Sequence, residues 1–343
     1  MALKMTAVFC VAAPLLLPAA AAPAADHPWM SDKALVAAAQ KEGTVIFLSS
    51  FNEDELLARL KFFEEATGIK SERIRGGDEA LISRITIANR AGRQVWDAIE
   101  ISNVHGFPDE WTAEYQLSEA EHLIPAAKDP RHRWYGTETI FHVPAYNTAR
   151  VNKVNLPTSY ADFANHPELK GHVAVESSDR FWLQGLFMYY GEAKATALID
   201  SIVKAVDPIV YTSHIGLARA VGAGEFWVQI NNFLNLTLNV QKAGDPIDYW
   251  VLDPVVITGH QLGINAKAPH RNAARLLANY LISAEGQAQN AKFGRQPTRL
   301  DVATDPPGLF EIIKTHPTVV PVATAAEESA WQKKLDVLFK RRQ

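Results

Sequence analysis

Apolar and polar positions along this 343-residue chain alternate between two periods. Residues 44–48, TVIFL, make a short apolar run rich in β-formers. From 53 to 66 the period becomes helical, with Leu56, Leu57, Leu60 and Phe63 on one face and Gly68 as the stop. Residues 69–74 predict a second strand. Residues 79–91 predict a second amphipathic helix (Leu81, Ile82, Ile85, Ala88) closed by Gly92, and 95–101, VWDAIEI, a third strand. This rhythm predicts a parallel sheet covered by helices on both faces.

The rhythm restarts further on. Strands are expected at 172–175, 208–211 and 226–230, with helices at 181–190 and 215–221. Two amides, Asn231 and Asn232, are expected to stop the last of these strands. Between the two units lies 139–149, TIFHVPAYNTA, an extended segment interrupted by Pro144, and 251–265 returns the chain. Two extended crossings between two α/β units are what a hinged clamp needs. A long helix or helix pair is expected at 271–293 and a terminal helix at 324–340. The expected fold class is therefore α/β, with two α/β lobes joined by a two-segment hinge. Residues 26–143 plus 255–343 form lobe 1 and 144–254 lobe 2, with part of the C-terminal helix free to pack on lobe 2.

Length agrees with two domains of about 150 residues. Nearly half the residues are apolar and a fifth are charged, a globular composition. The formal net charge of -4 gives no basic excess, so no nucleic-acid partner is expected. Residues 1–25 read as an export signal. Lys4 precedes an apolar stretch at 7–18 that is shorter than the roughly 20 residues a bilayer requires. A small-residue run with Ala22-Pro23-Ala24 then supplies a cleavage pattern. The mature chain is expected to begin near Asp26 and to be periplasmic. The single cysteine, Cys10, falls inside the signal, so the mature chain has no disulfide, no Cys-ligated zinc and no thiol nucleophile.

In open parallel sheets, ligands sit beyond the carboxyl ends of the strands. The residues expected there are Ser50 and Asn52, then Gly77 and Asp78, then Ser102 in the first unit. In the second unit they are Ser178, Asp179 and Arg180, then His214, and finally Asn231, Asn232 and Phe233. Most of these loops open into a helix, whose free N–H groups can cap on Ser or Asp or receive an anion. Arg180 adds a bidentate donor suited to a carboxylate or phosphate. The chain has no G-x-S-x-G, H-E-x-x-H, P-loop or G-x-G-x-x-G motif, and no catalytic role is expected. His172, His214 and His260, scattered among Ser and Asp, leave a periplasmic hydrolase as the remote alternative.

ALVAAAQKEGTVIFLSS, FFEEATGIK, WDAIEIS, MYYGEAKATALI, AVGAGEFWVQINN and APHRNAARLLANYLISAEGQ follow one another in order. Together they resemble the periplasmic solute-binding proteins of ABC importers, and most of all the group that includes the ferric-ion-binding proteins. The resemblance runs from about Lys33 to Thr298. It implies a type II periplasmic binding fold, a small-molecule solute held between the lobes, and an ABC permease in the inner membrane as partner; a monomer is expected.

Iron-binding members use a His after the first strand, a Glu after the third and two adjacent Tyr after a pair of Asn. Those positions fall here on Asn52, on Ser102 (or Asn103 with the gap placed differently), and on Phe233 and Leu234. None keeps its ligand, so no metal and no cofactor are expected. The anion seat that such members place on a helix N-terminus falls on Ser178, Asp179, Arg180, His214 or Ser213, and Asn231. The resemblance thus implies a small organic anion, a carboxylate or phosphonate, with an apolar part against Phe233 and Trp182. Ser50, Asn52, Gly77 and Ser102 would close from the other lobe, and an inward Asp78 would call for an amine on the solute. A ferric-ion or ferric-chelate carrier is the alternative.

Overall fold

The computed structural model describes residues 27–340; the expected signal segment, with Cys10, lies outside the described residues. The first unit runs α1 (Lys33–Glu42), β1 (Thr44–Ser49), α2 (Glu53–Thr67), β2 (Lys70–Arg75), α3 (Asp78–Arg90) and β3 (Ala98–Ile101). Helix α2 follows from its sequence: three acids in the first turn suit the positive end of the dipole, and Gly68 ends it at φ 74°. β3 starts three residues later than its apolar run. The Asp97 carboxylate just before it instead accepts from the backbone N–H groups of Ile46 and His270, both at 2.7 Å.

The chain continues through β4 (Trp134–Gly136) and β5 (Ile140–Asn147) into the second unit. That unit holds β6 (Val173–Glu176), α4 (Arg180–Tyr190), α5 (Glu192–Val206), β7 (Ile209–Tyr211), α6 (His214–Gly222), β8 (Val228–Phe233), α7 (Leu234–Lys242) and β9 (Ile247–Tyr249). β10 (Val255–Thr258) and β11 (Gln261–Ile264) carry the chain back to the pair α8 (Arg271–Ile282) and α9 (Ala284–Ala291). α10 (Phe310–Thr315), β12 (Thr318–Val319) and α11 (Ala325–Lys340) finish it.

Two sheets result. The first has the order β2-β1-β3-β11-β4, the second β12-β10-β5-β8-β6-β7, with β9 also paired to β5. β1 is parallel to β2 and β3, and β6 is parallel to β7 and β8. β5, β10 and β11 bring the antiparallel pairs that let one strand path serve both lobes. The sequence expectation drew the lobe boundaries at 143/144 and 254/255; the chain changes sheet at 137–139 and 259–260, because β5 and β10 pair with each other inside the second sheet. Pro144, which has no N–H to offer a ladder, sits where the β5–β8 register shifts.

Two differences from the sequence reading have physical causes. β8 does not stop at the two amides: Asn232 pairs with Val143 and Phe233 with His142, so the ladder runs on to Phe233. A buried amide is tolerated in a strand when its side chain finds partners, and Asn231 does. Helices α5 and α7 lie outside the predicted elements, although Ala195, Ile199, Ile202 and Val206 already carry the helical period. At the end of α4, Tyr190 packs on the second core and Tyr189 is exposed.

Each sheet has its own apolar core. Trp29, Phe47, Phe63, Leu277 and Tyr280 pack in the first lobe; Trp182, Leu186, Ile199 and Val228 pack in the second. Leu335, Leu338 and Phe339 join the second core, so α11 rides with lobe 2. Helix α4 lies so close to β10 that a methyl group on Gly185 would come within 2.3 Å of Val256 Cγ2.

A candidate solute cleft between the lobes

A small cavity of about 40 Å³ lies where the two crossings meet. Ser102, His105, Trp134 and Gln261 line it from the first lobe, and Phe181 and Ile257 from the second. Glu138, Thr139, Gly259 and His260 of the crossings and Thr258 at the end of β10 form its floor, and Val320 and Pro321 lie against it from the C-terminal segment. The indole of Trp134 and the ring of Phe181 therefore belong to opposite lobes.

The floor carries a buried charge cluster. Arg295 bonds Glu138 at 2.9–3.0 Å and Glu55 at 2.9–3.0 Å. His260 Nδ1 bonds Glu138 Oε1, an oxygen it shares with Arg295, and His260 Nε2 lies 3.0 Å from Ser50 Oγ. Burial alone would push the Glu138 carboxyl up, but Arg295 and His260 beside it bring it down to about 2. Burial likewise opposes the charge on His260, yet Glu138 raises its pKa above the ordinary value. When the ring is protonated, Nε2 donates to Ser50 Oγ and leaves the serine hydroxyl hydrogen free to point elsewhere.

On lobe 2 the strand ends hold a second cluster, centred on Glu176. Its carboxylate accepts from Ser178 N (2.7 Å), Ser178 Oγ (2.8 and 3.0 Å) and Ser213 N (3.1 Å), and lies 3.1 Å from His214 Nε2. Ser213 reaches it in a backbone conformation rare for a side-chain residue, φ 120°, while its hydroxyl caps Gly216 N. Burial lowers the His214 pKa against the pull of Asp179 and Glu176. The neutral ring donates through Nε2 to Glu176, and its buried Nδ1 has no partner. His214 stacks on Phe233 at 3.9 Å, and His142 meets Phe233 edge-on at 4.9 Å. His142 in turn links Asp179 (3.1 Å) to Thr258 (2.7 Å). Burial opposes the Asp179 charge, and the adjacent His142 more than offsets it, so its pKa lies below the ordinary range.

The residues named from sequence take different places in this arrangement. Ser102 lines the cavity, Asp78 accepts from Ser102 N at 3.1 Å, and Ser50 reaches the floor through His260. Asn52 is exposed and bonds Glu55 at 3.0 Å, while Gly77 leads into α3. Asn231, Asn232 and Asp179 are buried within lobe 2. The Asn231 amide is spent on the backbone of Glu176, and Asp179 caps Trp182 N at 3.1 Å. Ser178 and His214 are engaged with Glu176. Arg180 lies over the Phe181 ring, 4.8 Å from its centroid, and holds Glu328 of α11 through Nε (3.0 Å) and Nη2. Glu138, His142, Trp134, Arg295 and Glu328 are outside the sequence-derived set. The TETIFH stretch places Glu138 and His142 on a crossing and could have flagged them; nothing local marks Glu328, which lies 148 residues from Arg180.

Among the described residues no three His, Asp or Glu side chains converge as a metal site. None of the described helices is long and apolar enough to cross a membrane.

Residues 116–317, more than half of the chain, match the model of a bacterial extracellular solute-binding protein family. The fold is that of solved two-lobe binding proteins. Iron-bound HitA from Pseudomonas aeruginosa superposes with a TM-score of 0.72 at 21% identity, over 85% of this chain and 99% of that one. The ferric binding protein from Campylobacter jejuni gives 0.67 at 16%, over 86% and 98%. AfuA from Actinobacillus pleuropneumoniae, solved with fructose-6-phosphate, gives 0.67 at 18%, over 88% and 99%. At these identities the likeness speaks for the fold.

Proposed function

This chain belongs to the bacterial extracellular solute-binding protein family, and from that premise we propose that it captures a small organic anion between its lobes for an ABC permease in the inner membrane. On this reading the lobes pivot about the crossings at 137–139 and 259–260. The solute's apolar part lies between Trp134 and Phe181, and its contacts with both walls shift the population toward the closed form. The protein acts as a carrier and not as an enzyme, and works as a monomer in the periplasm.

The observation that carries the reading is the place of Arg180. Its guanidinium carbon lies 4.8 Å from the centroid of a ring that lines the cavity, at the first turn of α4. A planar, permanently charged fork in that position is matched to a carboxylate or phosphonate. The helix N-termini named from the sequence support it less, because Glu176 already takes up their donors from Ser178 and Ser213.

Thermal shift and calorimetric titration against small carboxylates, phosphonates, ferric chloride and ferric citrate test the reading. A ligand of the folded state alone raises the melting temperature. The expected result is a carboxylate or phosphonate hit, with Arg180→Ala losing about 2–5 kcal/mol of binding free energy. Binding of the ferric forms only would replace the organic-anion reading with an iron carrier.

A further inference from the structure

Arg180 is not vacant. The Glu328 side chain of α11 lies between it and the loop that follows β3, receiving Arg180 Nε and Nη2 on one oxygen and Asn103 Nδ2 on the other. Arg180 and α11 belong to lobe 2, whereas Asn103 belongs to lobe 1. Both the Asn103 loop and the start of α4 lie beyond the carboxyl ends of their parallel strands, β3 and β6. The bridge is therefore on the cleft side, and opening the cleft breaks it.

A neighbouring strap reinforces the bridge. Asn103 Nδ2 also donates to the Ala323 carbonyl at 2.9 Å, and Ala323 N donates to His105 Nε2 at 3.2 Å. Asn103 Oδ1 accepts from Gly106 N at 3.1 Å, so the amide is oriented before any ligand arrives. The Arg180 and Glu328 side chains keep 29% and 15% of their exposure, which leaves the pair reachable from water.

We propose that Arg180 and Asn103 form the subsite for the solute's carboxylate, and that Glu328 occupies it from within the chain, closing the ligand-free protein until a solute carboxylate displaces it. The inference rests on the organic-anion reading for its ligand but not for its occupant. A side-chain carboxylate held by donors from both lobes makes the contacts a solute carboxylate would make. Such an occupant lowers the apparent affinity in proportion to the fraction of protein it holds.

The test uses the full mature chain with one spin label on each lobe, at Lys61→Cys and Lys204→Cys, in a Cys10→Ser background where the signal is retained. Inter-lobe distances are measured without ligand for the parent, Glu328→Gln, Arg180→Gln and Lys334→Gln. Lys334 lies on the same helix and pairs with Glu192 of α5 at 2.6 Å, within lobe 2. Glu328→Gln and Arg180→Gln are expected to populate a longer distance, and Lys334→Gln to match the parent. Glu328→Gln is also expected to tighten binding of a carboxylate hit about tenfold, the factor that follows if nine-tenths of the ligand-free protein is self-occupied.

An unchanged distance in both Glu328→Gln and Arg180→Gln overturns the proposal, and so does an equal opening in Lys334→Gln. Weaker carboxylate binding by Glu328→Gln overturns the competing role. If the variants open but no carboxylate binds to any of them, the internal latch stands and the organic-anion reading falls.

Discussion

The side chain of Asn231 holds the backbone of Glu176 from both sides. Its Oδ1 accepts from Glu176 N at 2.8 Å and its Nδ2 donates to Glu176 O at 3.2 Å. This amide replaces the ladder that β6 and β8 no longer share, since their pairing ends at Ala174 and Gln229. It fixes the strand end from which Ser178, Asp179 and Arg180 start α4.

Asn231→Ala is expected to destabilise the protein by about 2–4 kcal/mol, because it leaves a buried N–H and a buried carbonyl without partners. Urea unfolding checks this: the midpoint should fall with an unchanged slope.

Glu138 ties the crossings together and ionises at about 2 in the folded chain, against an ordinary 4.5. Its charge stabilises the fold above about pH 4.5, and that contribution is lost as the pH falls toward 2. Glu138→Gln is expected to cost about 3–5 kcal/mol at pH 7, since it removes the charged partner of His260 and leaves Arg295 with Glu55 alone. Melting curves recorded from pH 7 to 2 should show the gap between the two proteins closing on the acid side. A constant gap would rule out Glu138 as the titrating group.

His214 has its pKa lowered from 6.5 by burial, so the unfolded chain binds its proton more readily. The neutral ring contributes stability that is complete above pH 6.5 and is eroded as the pH drops through that value. His260 has a raised pKa and acts in the opposite sense: its contribution is present below pH 6.5 and is lost as the pH rises past its folded value. Unfolding free energies for the parent and His214→Gln, compared between pH 8 and 5, separate the two. The variant should gain on the parent as the solution is acidified.

Gly185→Ala is expected to destabilise by about 1–3 kcal/mol, although alanine is the better helix former. Its methyl group would meet Val256 and force α4 away from β10. The reverse pair, Gly185→Ala with Val256→Ala, should recover part of the loss in the same unfolding measurement.

The sequence carried the elements well because periodicity is a local property. Leu56, Leu60 and Phe63 announce α2, and Gly68 ends it, without reference to any other part of the chain. The same local reading ended β8 too early, since the partners that let Asn231 and Asn232 continue a strand come from β5 and β6. It also placed Ser102, Asp78, Ser50 and Arg180 near a cleft, because strand ends in a parallel sheet share one edge.

By itself, then, the sequence determined two α/β units, two crossings and the polar residues at the strand ends. Tertiary structure decided how those residues are spent. Ser178 and His214 turn to Glu176, Arg180 turns to Glu328, and Ser50 turns to His260. A donor's partner is set by distance in space and not along the chain. A carboxylate on the last helix can therefore fill a seat that begins at α4, and no pattern around either residue records it.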